Sequence, residues 1–348
     1  LIIPGFVDIH LHSSQFFNIG LGMDKELIPW LNTYTFPEEA KFRDLEYAKT
    51  AYSKFVIDLV NKGTTSSVIY STIHKESTML LMDLLDKANL RAYVGKVNMD
   101  RNTIDELCEN TNDSIKETEE IILSSNSNRV KPIITPRFVP SCSKELMEGL
   151  SKLAIKYNVP VQSHLSENTN EVKWVKELHP DIENYASVYN KFGLFGQTKT
   201  VMAHCIYTSD EEIELMKKKG VFAAHCAISN FNLSSGIMPV RKYLDYGVDV
   251  GLGSDISGGN TLSIPQSIVS TIQASKMKWL ESNKKLYPLS FSEVFYMATK
   301  GGGKFFENVG SFESGYNADL LIIDDSNLLD FNKFDCLERL QKYIYSGN

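Results

Sequence analysis

Two histidines near the N-terminus have the type and spacing needed to hold a metal ion. His10 and His12 end the segment Pro4 to His12, whose apolar residues indicate a short buried strand entered through a Pro-Gly turn. Because side chains two positions apart on a strand face the same way, both imidazoles can reach one ion. The spacing alone also fits two unrelated histidines at a strand end, so other residues must decide.

Further histidines and one aspartate stand at the ends of later predicted strands. His164, His204 and His225 end the fifth, sixth and seventh of these strands, and Asp255 follows the eighth. Imidazole and carboxylate ligands with one free position are typical of a Zn2+ or Fe2+ ion, which lowers the pKa of bound water towards ~7. We predict one metal ion per chain, held by His10, His12, His164, His204 and Asp255, with His225 beside it as a catalytic hydrogen-bonding group.

Two segments next to these strand ends are expected to face a substrate. Glu167 follows His164 by three residues, in the loop after the fifth strand, where a carboxylate can shuttle protons. The alternative for Glu167 is an acid in the first turn of a helix, where it favours the helix dipole. The polar and aromatic segment from Gln15 to Tyr34 either covers a pocket or forms a surface loop.

The order of the predicted elements indicates a barrel. Eight strand-like segments are each followed by a helical pattern, and repeated β-then-α units build a parallel sheet. The predicted strands cover residues 6–12, 64–70, 91–97, 130–135, 159–164, 200–204, 221–225 and 248–251. Eight units favour a closed (β/α)8 TIM-type barrel over an open doubly wound sheet, since no glycine-rich phosphate loop follows the first strand. We expect residues 1–308 to form the barrel and residues 309–348 to contribute to part of a small β-sandwich.

The composition limits the classes of function. The chain has 348 residues, of which 43% are hydrophobic, and a formal net charge of -7 without a basic patch. These values suit a large core and argue against a nucleic-acid partner. No apolar run is long enough to span a membrane, and five scattered cysteines without a C-x-x-C motif favour the reducing cytoplasm. The chain opens at Leu1 without a Met or a charged leader, so we expect a piece of a longer, non-secreted protein.

With these residues placed, the chain resembles the amidohydrolase superfamily and, within it, the guanine deaminases. The superfamily motifs are the segment 4–12, the strand-end histidines and the segment 253–255. The narrower motifs cover residues 14–15, 34–37, 131–138, 162–167, 201–204, 229–230 and 233–236. The resemblance implies hydrolysis of guanine to xanthine and ammonia at one zinc ion, in purine catabolism or salvage. It also implies a cytoplasmic homodimer that acts on a small-molecule purine.

The resemblance assigns roles to individual residues. The five predicted metal ligands match the ligand positions of the family, and Glu167 and Asp255 match its proton-transfer carboxylates. The positions that match substrate contacts are Gln15, Arg137, Phe138, His164, Glu167 and Asp255. The chemistry agrees, because an amide pairs with a purine edge, a guanidinium donates to a carbonyl and a phenyl ring packs against a base.

One segment departs from the family pattern. After His225 the usual Pro and Asn are replaced by Ala227 and Ile228, so we expect a looser loop and less strict positioning of the substrate. Two other functions stay open at this point: hydrolysis of a different aminated heterocycle, and a non-catalytic barrel that has lost its metal. A substrate panel separates the first from guanine deamination, and metal analysis separates the second.

Overall fold

Eight parallel strands form the centre of the computed structural model, which describes residues 1–328 and 333–347. Four short strands accompany these eight, and the full set in the described residues is β1 (Ile2–Pro4), β2 (Phe6–His12), β3 (Thr64–Tyr70), β4 (Arg91–Gly95), β5 (Val97–Asn98), β6 (Val130–Pro132), β7 (Thr135–Pro136), β8 (Val161–Leu165), β9 (Thr200–His204), β10 (Phe222–His225), β11 (Val250–Leu252) and β12 (Leu320–Ile322). The helices are α1 (Leu27–Trp30), α2 (Phe36–Ala40), α3 (Leu45–Asn61), α4 (Lys75–Lys87), α5 (Thr111–Ser124), α6 (Lys144–Tyr157), α7 (Thr169–Leu178), α8 (Tyr185–Lys191), α9 (Asp210–Lys219), α10 (Ala227–Asn232), α11 (Val240–Tyr246), α12 (Ile264–Glu281), α13 (Phe291–Tyr296) and α14 (Cys336–Ser346).

Two four-stranded parallel sheets join into one ring. Their strand orders are β2-β3-β4-β6 and β8-β9-β10-β11, and β5 pairs with β7 beyond the first sheet. At one seam the Gln162 amide donates to the Ile134 carbonyl over 2.9 Å. At the other seam the Asp255 amide donates to the His10 carbonyl, also over 2.9 Å. The predicted closed barrel is therefore confirmed, and strand ends that are distant in sequence meet at its mouth.

Two of the predicted strands are interrupted in the structure. The segment predicted at 91–97 splits into β4 and β5 at Lys96, whose buried ammonium group pairs with Glu109. The segment predicted at 130–135 splits into β6 and β7 after Pro132, because proline has no N–H to donate to the sheet. The sequence pattern does not predict helix α8, since seven residues are too few for a clear helical period.

The start of helix α7 determines where the loop after β8 runs. Asn168 caps the helix by accepting from the Asn170 amide over 2.8 Å, and the Glu171 carboxylate accepts in return from the Asn168 amide over 3.2 Å. This reciprocal capping box fixes the path of the chain into the helix. It therefore also restrains Glu167, the residue just before the cap.

A second, smaller sheet lies outside the barrel. Strands β1 and β12 pair in antiparallel fashion, with Ile2 opposite Ile322, and helix α14 buries Ile344 against the main core. The predicted boundary at 308 stays a prediction, and residues 329–332 and 348 of the predicted C-terminal segment lie outside the described residues. None of the helices in the described ranges has the length and apolar character needed to cross a membrane.

Candidate active site

The predicted metal ligands converge at the mouth of the barrel. His10 and His12, from the end of β2, place their Nε2 atoms 3.1 and 3.3 Å from Asp255 Oδ1. His12 Nε2 also lies 3.2 Å from His164 Nε2, which comes from β8. Four side chains from three parts of the chain thus turn their ligand atoms toward one point.

His204 completes the group on the opposite side of Asp255. Its Nε2 atom lies 3.6 Å from Asp255 Oδ2 and 3.5 Å from Glu167 Oε2. Cys226, which the sequence reasoning did not select, also belongs to this group. Its Sγ lies within 4.8 Å of ligand atoms of His10, His204 and Asp255. The structure therefore brings all five predicted ligands together and adds a buried thiol.

The hydrogen bonds behind the histidines fit a bound cation. The Nδ1 atoms of His164 and His204 donate to the Arg137 carbonyl over 2.6 Å and to Asn230 Oδ1 over 2.9 Å. Because Nδ1 then carries the proton, Nε2 keeps a lone pair that points at the shared centre. His204 Nε2 has no hydrogen-bond partner in the part of the chain that the structure describes. A buried lone pair without a partner is what a metal ligand requires, so the residues present fit the ion that the family commonly binds.

Burial sets the protonation of these ligands. It lowers the pKa of His12 to about 4 and that of His164 well below its ordinary value, so both rings are neutral, as metal binding requires. Burial alone would raise the pKa of Asp255, but His10, His12 and His204 together hold that pKa well below its usual range. The site thus combines neutral imidazoles with one ionised carboxylate.

The backbone is strained where two of the ligands sit. His204 has a φ of 71° and Asp255 a φ of 48°, in the left-handed region that residues with a Cβ rarely adopt. Gly253 is required nearby, because a Cβ there would lie 2.8 Å from Cys226 Sγ and 2.9 Å from the Cβ of His10. Strained residues of this kind cluster at functional sites, where the surrounding structure holds them.

A cavity of about 400 Å³, including its open mouth, lies directly over this group. The cavity is lined by His12, Gln15, Leu27, Trp30, Leu31, Arg137, Phe138, His164, Glu167, His204, Leu233 and Asp255. The segment from Gln15 to Tyr34 supplies Trp30 and Leu31, so this segment covers a pocket and is not a separate surface loop. The predicted substrate residues Gln15, Arg137 and Phe138 all reach the same cavity as the ligands.

Glu167 lies at the wall of the cavity, in surroundings that favour its protonated form. Its side chain is buried, and Oε1 accepts a hydrogen bond from Ser235 Oγ over 3.1 Å. Burial, with the nearby Asp255 and Glu171 carboxylates, raises the pKa of Glu167 well above its ordinary value. The pKa values of the two carboxyl groups of the cavity are therefore shifted in opposite directions.

Sequence reasoning missed one buried acid that contacts the cavity residues. The Glu39 carboxylate accepts from Gln15 Nε2 over 2.8 Å and from Arg137 Nη1 over 2.5 Å. The only sequence signal was its place two residues after the family motif at 34–37, because an acid near a helix start is otherwise common on protein surfaces.

The structure places His225 at the end of β10 and the segment after it in helix α10. His225 is buried at the end of β10 and is not among the residues that line the cavity, so its catalytic role stays a prediction. The expected loosening at Ala227 and Ile228 stays a prediction. Both residues lie in the first turn of helix α10, and Ala227 holds the first helical position, which also accepts proline. This helix also carries Asn230, the hydrogen-bond partner of His204.

Comparisons with known proteins agree with this geometry. The amidohydrolase family model matches residues 1–348. Guanine deaminases of Dictyostelium discoideum and Homo sapiens are 44% and 41% identical to the chain, covering 100% and 99% of it and 79% of each relative. A crystal structure of guanine deaminase from C. acetobutylicum with guanine bound in its active site matches with a TM-score of 0.98 and 58% identity, covering 100% of this chain and 83% of that one. The chain therefore belongs to the amidohydrolase family.

Proposed function

We propose that this protein hydrolyses guanine to xanthine and ammonia. The observation that carries the proposal is one cavity in which Gln15, Arg137 and Phe138 lie together with the converging histidines and the Asp255 and Glu167 carboxyl groups. The similarity to guanine deaminases over the whole chain supports guanine as the substrate. No other aminated heterocycle is favoured by a particular residue of the cavity.

A divalent cation belongs to this proposal. His10, His12, His164, His204 and Asp255 would hold it, and we propose zinc because neutral imidazoles with one carboxylate are a preferred zinc ligand set. When bound, such an ion acts as a Lewis acid and makes an attacking water more acidic. Fe2+ accepts the same ligands, so metal analysis of the purified protein decides between the two.

Three residues bind and orient the purine in this proposal. Arg137 offers only donors, which suit the guanine carbonyl, and Gln15 offers both a donor and an acceptor along the purine edge. Phe138 lies against the ring and is itself held in edge contact by Trp174, with ring centres 6.2 Å apart. The apolar lining from Trp30 and Leu31 limits the water that can reach the base.

Two carboxyl groups move the protons. Asp255 is ionised and takes a proton from the attacking water. The water oxygen then bonds to the ring carbon that carries the amino group. Glu167 is protonated and gives its proton to the adjacent ring nitrogen, so no negative charge develops there. The amino group then takes the proton held by Asp255 and leaves as ammonia. The new hydroxyl gives its proton to Glu167 and becomes the second carbonyl of xanthine, so both carboxyl groups return to their starting states.

We also propose that the enzyme is a cytoplasmic homodimer. All five cysteines are free thiols, as is common in a reducing compartment, which supports the location. The resemblance to guanine deaminases supports the dimer. Sedimentation equilibrium of the purified protein tests the assembly, and a mass of one chain would overturn it.

The decisive experiment measures ammonia released from guanine, with and without a chelator. Adenine, cytosine and an amino-triazine serve as comparison substrates. We expect rapid release from guanine, little from the others, and loss of release after chelation. Absence of ammonia from guanine in metal-loaded protein would overturn the proposed function.

A further inference from the structure

One buried carboxylate connects the two polar residues that face the purine cavity. Glu39 accepts from Gln15 Nε2 with one oxygen and from Arg137 Nη1 with the other, and its side chain is almost completely buried. The three residues come from the segment after β2, from helix α2 and from the segment after β7. Only the closed barrel brings them together, so the contact is a property of the tertiary structure.

These contacts determine which way round the Gln15 amide lies. Its Nε2 faces the Glu39 carboxylate, and its Oε1 accepts from the Ser257 backbone amide over 3.0 Å. A carboxylate can only accept and a backbone N–H can only donate, so the reversed amide would lose both hydrogen bonds. Gln15 therefore keeps one N–H and one lone pair for other partners, in a fixed orientation.

Helix α2 holds Arg137 by two contacts. Glu39 pairs with its guanidinium, and the Phe36 ring lies beneath the same group, with 5.0 Å between the guanidinium carbon and the ring centre. An arginine carries no acceptor, so it presents only donors to the cavity. Through Glu39 and Phe36, helix α2 thus orients two side chains of other segments, the donor-only Arg137 and the amide of Gln15.

We propose that Glu39 is a positioning residue that sets the preference of the site for a 6-oxopurine over a 6-aminopurine. This inference rests on the proposed function and assigns the origin of its substrate preference. Guanine presents an acceptor at the 6-oxygen and a donor at the neighbouring N1–H, whereas 2,6-diaminopurine presents a donor and an acceptor in these places. The fixed Gln15 amide and the donor-only Arg137 can hydrogen-bond with the pattern of guanine. Against 2,6-diaminopurine they would place donor against donor.

A purely structural role would be neutralisation of Arg137. A buried guanidinium without a partner is strongly destabilising, so Glu39 would be needed for folding even if it had no influence on the substrate. Neutralisation of Arg137 and positioning of the substrate-binding groups differ in what they require of the contact with the Gln15 amide. Neutralisation requires only a negative charge, whereas positioning requires a carboxylate that reaches both Gln15 and Arg137.

The test compares guanine with 2,6-diaminopurine in wild type and the Glu39→Gln variant. The amide at 39 has only one acceptor oxygen, so it cannot accept from Gln15 and Arg137 in the way that the two carboxylate oxygens do, and Gln15 becomes free to flip. We expect kcat/KM for guanine to fall at least tenfold, while the inhibition constant of 2,6-diaminopurine stays the same or falls. If both purines weaken by the same factor, the proposal is overturned.

Two further variants separate positioning from stability. Glu38→Gln is the matched control, because Glu38 is also a buried acid on α2 but contacts Lys41 and Tyr47 instead of the cavity residues. This control should leave the ratio of kcat/KM for guanine to the reciprocal of the inhibition constant of 2,6-diaminopurine within twofold of wild type. Glu39→Asp keeps the charge but is one methylene shorter, so we expect it to shift the ratio in the same direction as Glu39→Gln. If Glu39→Gln does not fold, this variant carries the test, and a wild-type ratio in it overturns positioning.

The same measurements distinguish a failure of the Glu39 positioning role from a failure of the proposed guanine deaminase activity. If wild type releases no ammonia from guanine, the proposed function fails. If wild type is active and the Glu39 variants keep the wild-type ratio, only the positioning role fails.

Discussion

At the scale of single residues, burial and neighbouring charges shift the pKa values of two carboxyl groups of one cavity in opposite directions. Asp255 stays ionised because three histidines surround it, whereas burial raises the pKa of Glu167 well above its ordinary value. A pair of titratable groups whose pKa values are driven apart can act as a base and an acid at the same pH. Two predictions follow from such shifts at individual side chains.

The first concerns the proton that Glu167 carries. A Glu167→Gln variant keeps the shape of the side chain and can still accept from Ser235, but it cannot donate a carboxyl proton. We expect ammonia release from guanine to fall by about 10²- to 10⁴-fold, the usual contribution of a general acid. Metal content, measured on the same sample, should stay at the wild-type level. A rate close to that of wild type would contradict the proton-transfer role.

The second concerns the acid sensitivity of the fold. Burial lowers the pKa of His225 from 6.5 to about 3, so below pH 6.5 the unfolded chain binds a proton that the folded chain does not. Stability is therefore lost as the pH falls, and the contribution of His225 between pH 7 and 5 is about 2 kcal/mol. We expect a His225→Asn variant to lose less stability over this range than wild type. Urea denaturation at both pH values measures this, and equal losses would contradict it.

At the scale of secondary structure, the N-terminus of α7 holds the loop that carries Glu167. Glu171 Oε2 accepts from the Glu167 and Asn168 amides over 2.8 and 3.2 Å, and its Oε1 accepts from Tyr185 Oη over 2.7 Å. The same side chain therefore caps the helix and fixes the backbone of the acid. Helix caps usually affect stability alone, but this one should also affect turnover.

The third prediction separates the two effects with a matched pair. Glu171→Ala leaves two buried N–H groups without an acceptor, so we expect a loss of about 1–3 kcal/mol in the free energy of unfolding and at least a tenfold lower kcat. Glu212→Ala breaks the similar capping box of α9, where Glu212 accepts from the Ser209 and Ala186 amides. This control should lose similar stability with near-normal kcat. Equal losses of kcat in both variants would show that stability alone matters.

At the scale of the whole molecule, the ligand group joins both halves of the barrel. His10 and His12 come from the first sheet, whereas His164, His204 and Asp255 come from the strands and strand ends of the second. A cation bound there would hold the two sheets together at the barrel mouth. Metal binding should therefore stabilise the entire fold and not only a loop.

The fourth prediction is that metal removal lowers the thermal stability of the protein. At a free metal concentration 100 times the dissociation constant, binding contributes about 2.7 kcal/mol to folding. We expect a lower Tm after dialysis against a chelator, with recovery when Zn2+ is added. An Asp255→Asn variant, with a weaker ligand set, should show a smaller difference. A Tm that chelation leaves unchanged in metal-loaded wild type would contradict a structural effect of the ion.

Much of this molecule could be predicted from local pattern. Alternation along a strand placed His10 and His12 on one face, and the eight β-then-α units indicated the barrel that collects His164, His204 and Asp255 at one end. Such periodicities depend on residues that are close in sequence, so they can be predicted from the amino-acid sequence alone. The family motifs then identified the cavity residues Gln15, Arg137 and Phe138.

The tertiary structure alone decided the contacts between residues that are far apart in sequence. Glu39 lies 24 positions from Gln15 and 98 from Arg137, yet it bonds to both, and Cys226 approaches the ligands although its neighbour His225 does not line the cavity. No local period encodes such a contact, because it depends on how the closed barrel brings different strand ends together. The burial that raises the pKa of Glu167 and the histidines that lower the pKa of Asp255 likewise come together only once the chain is packed.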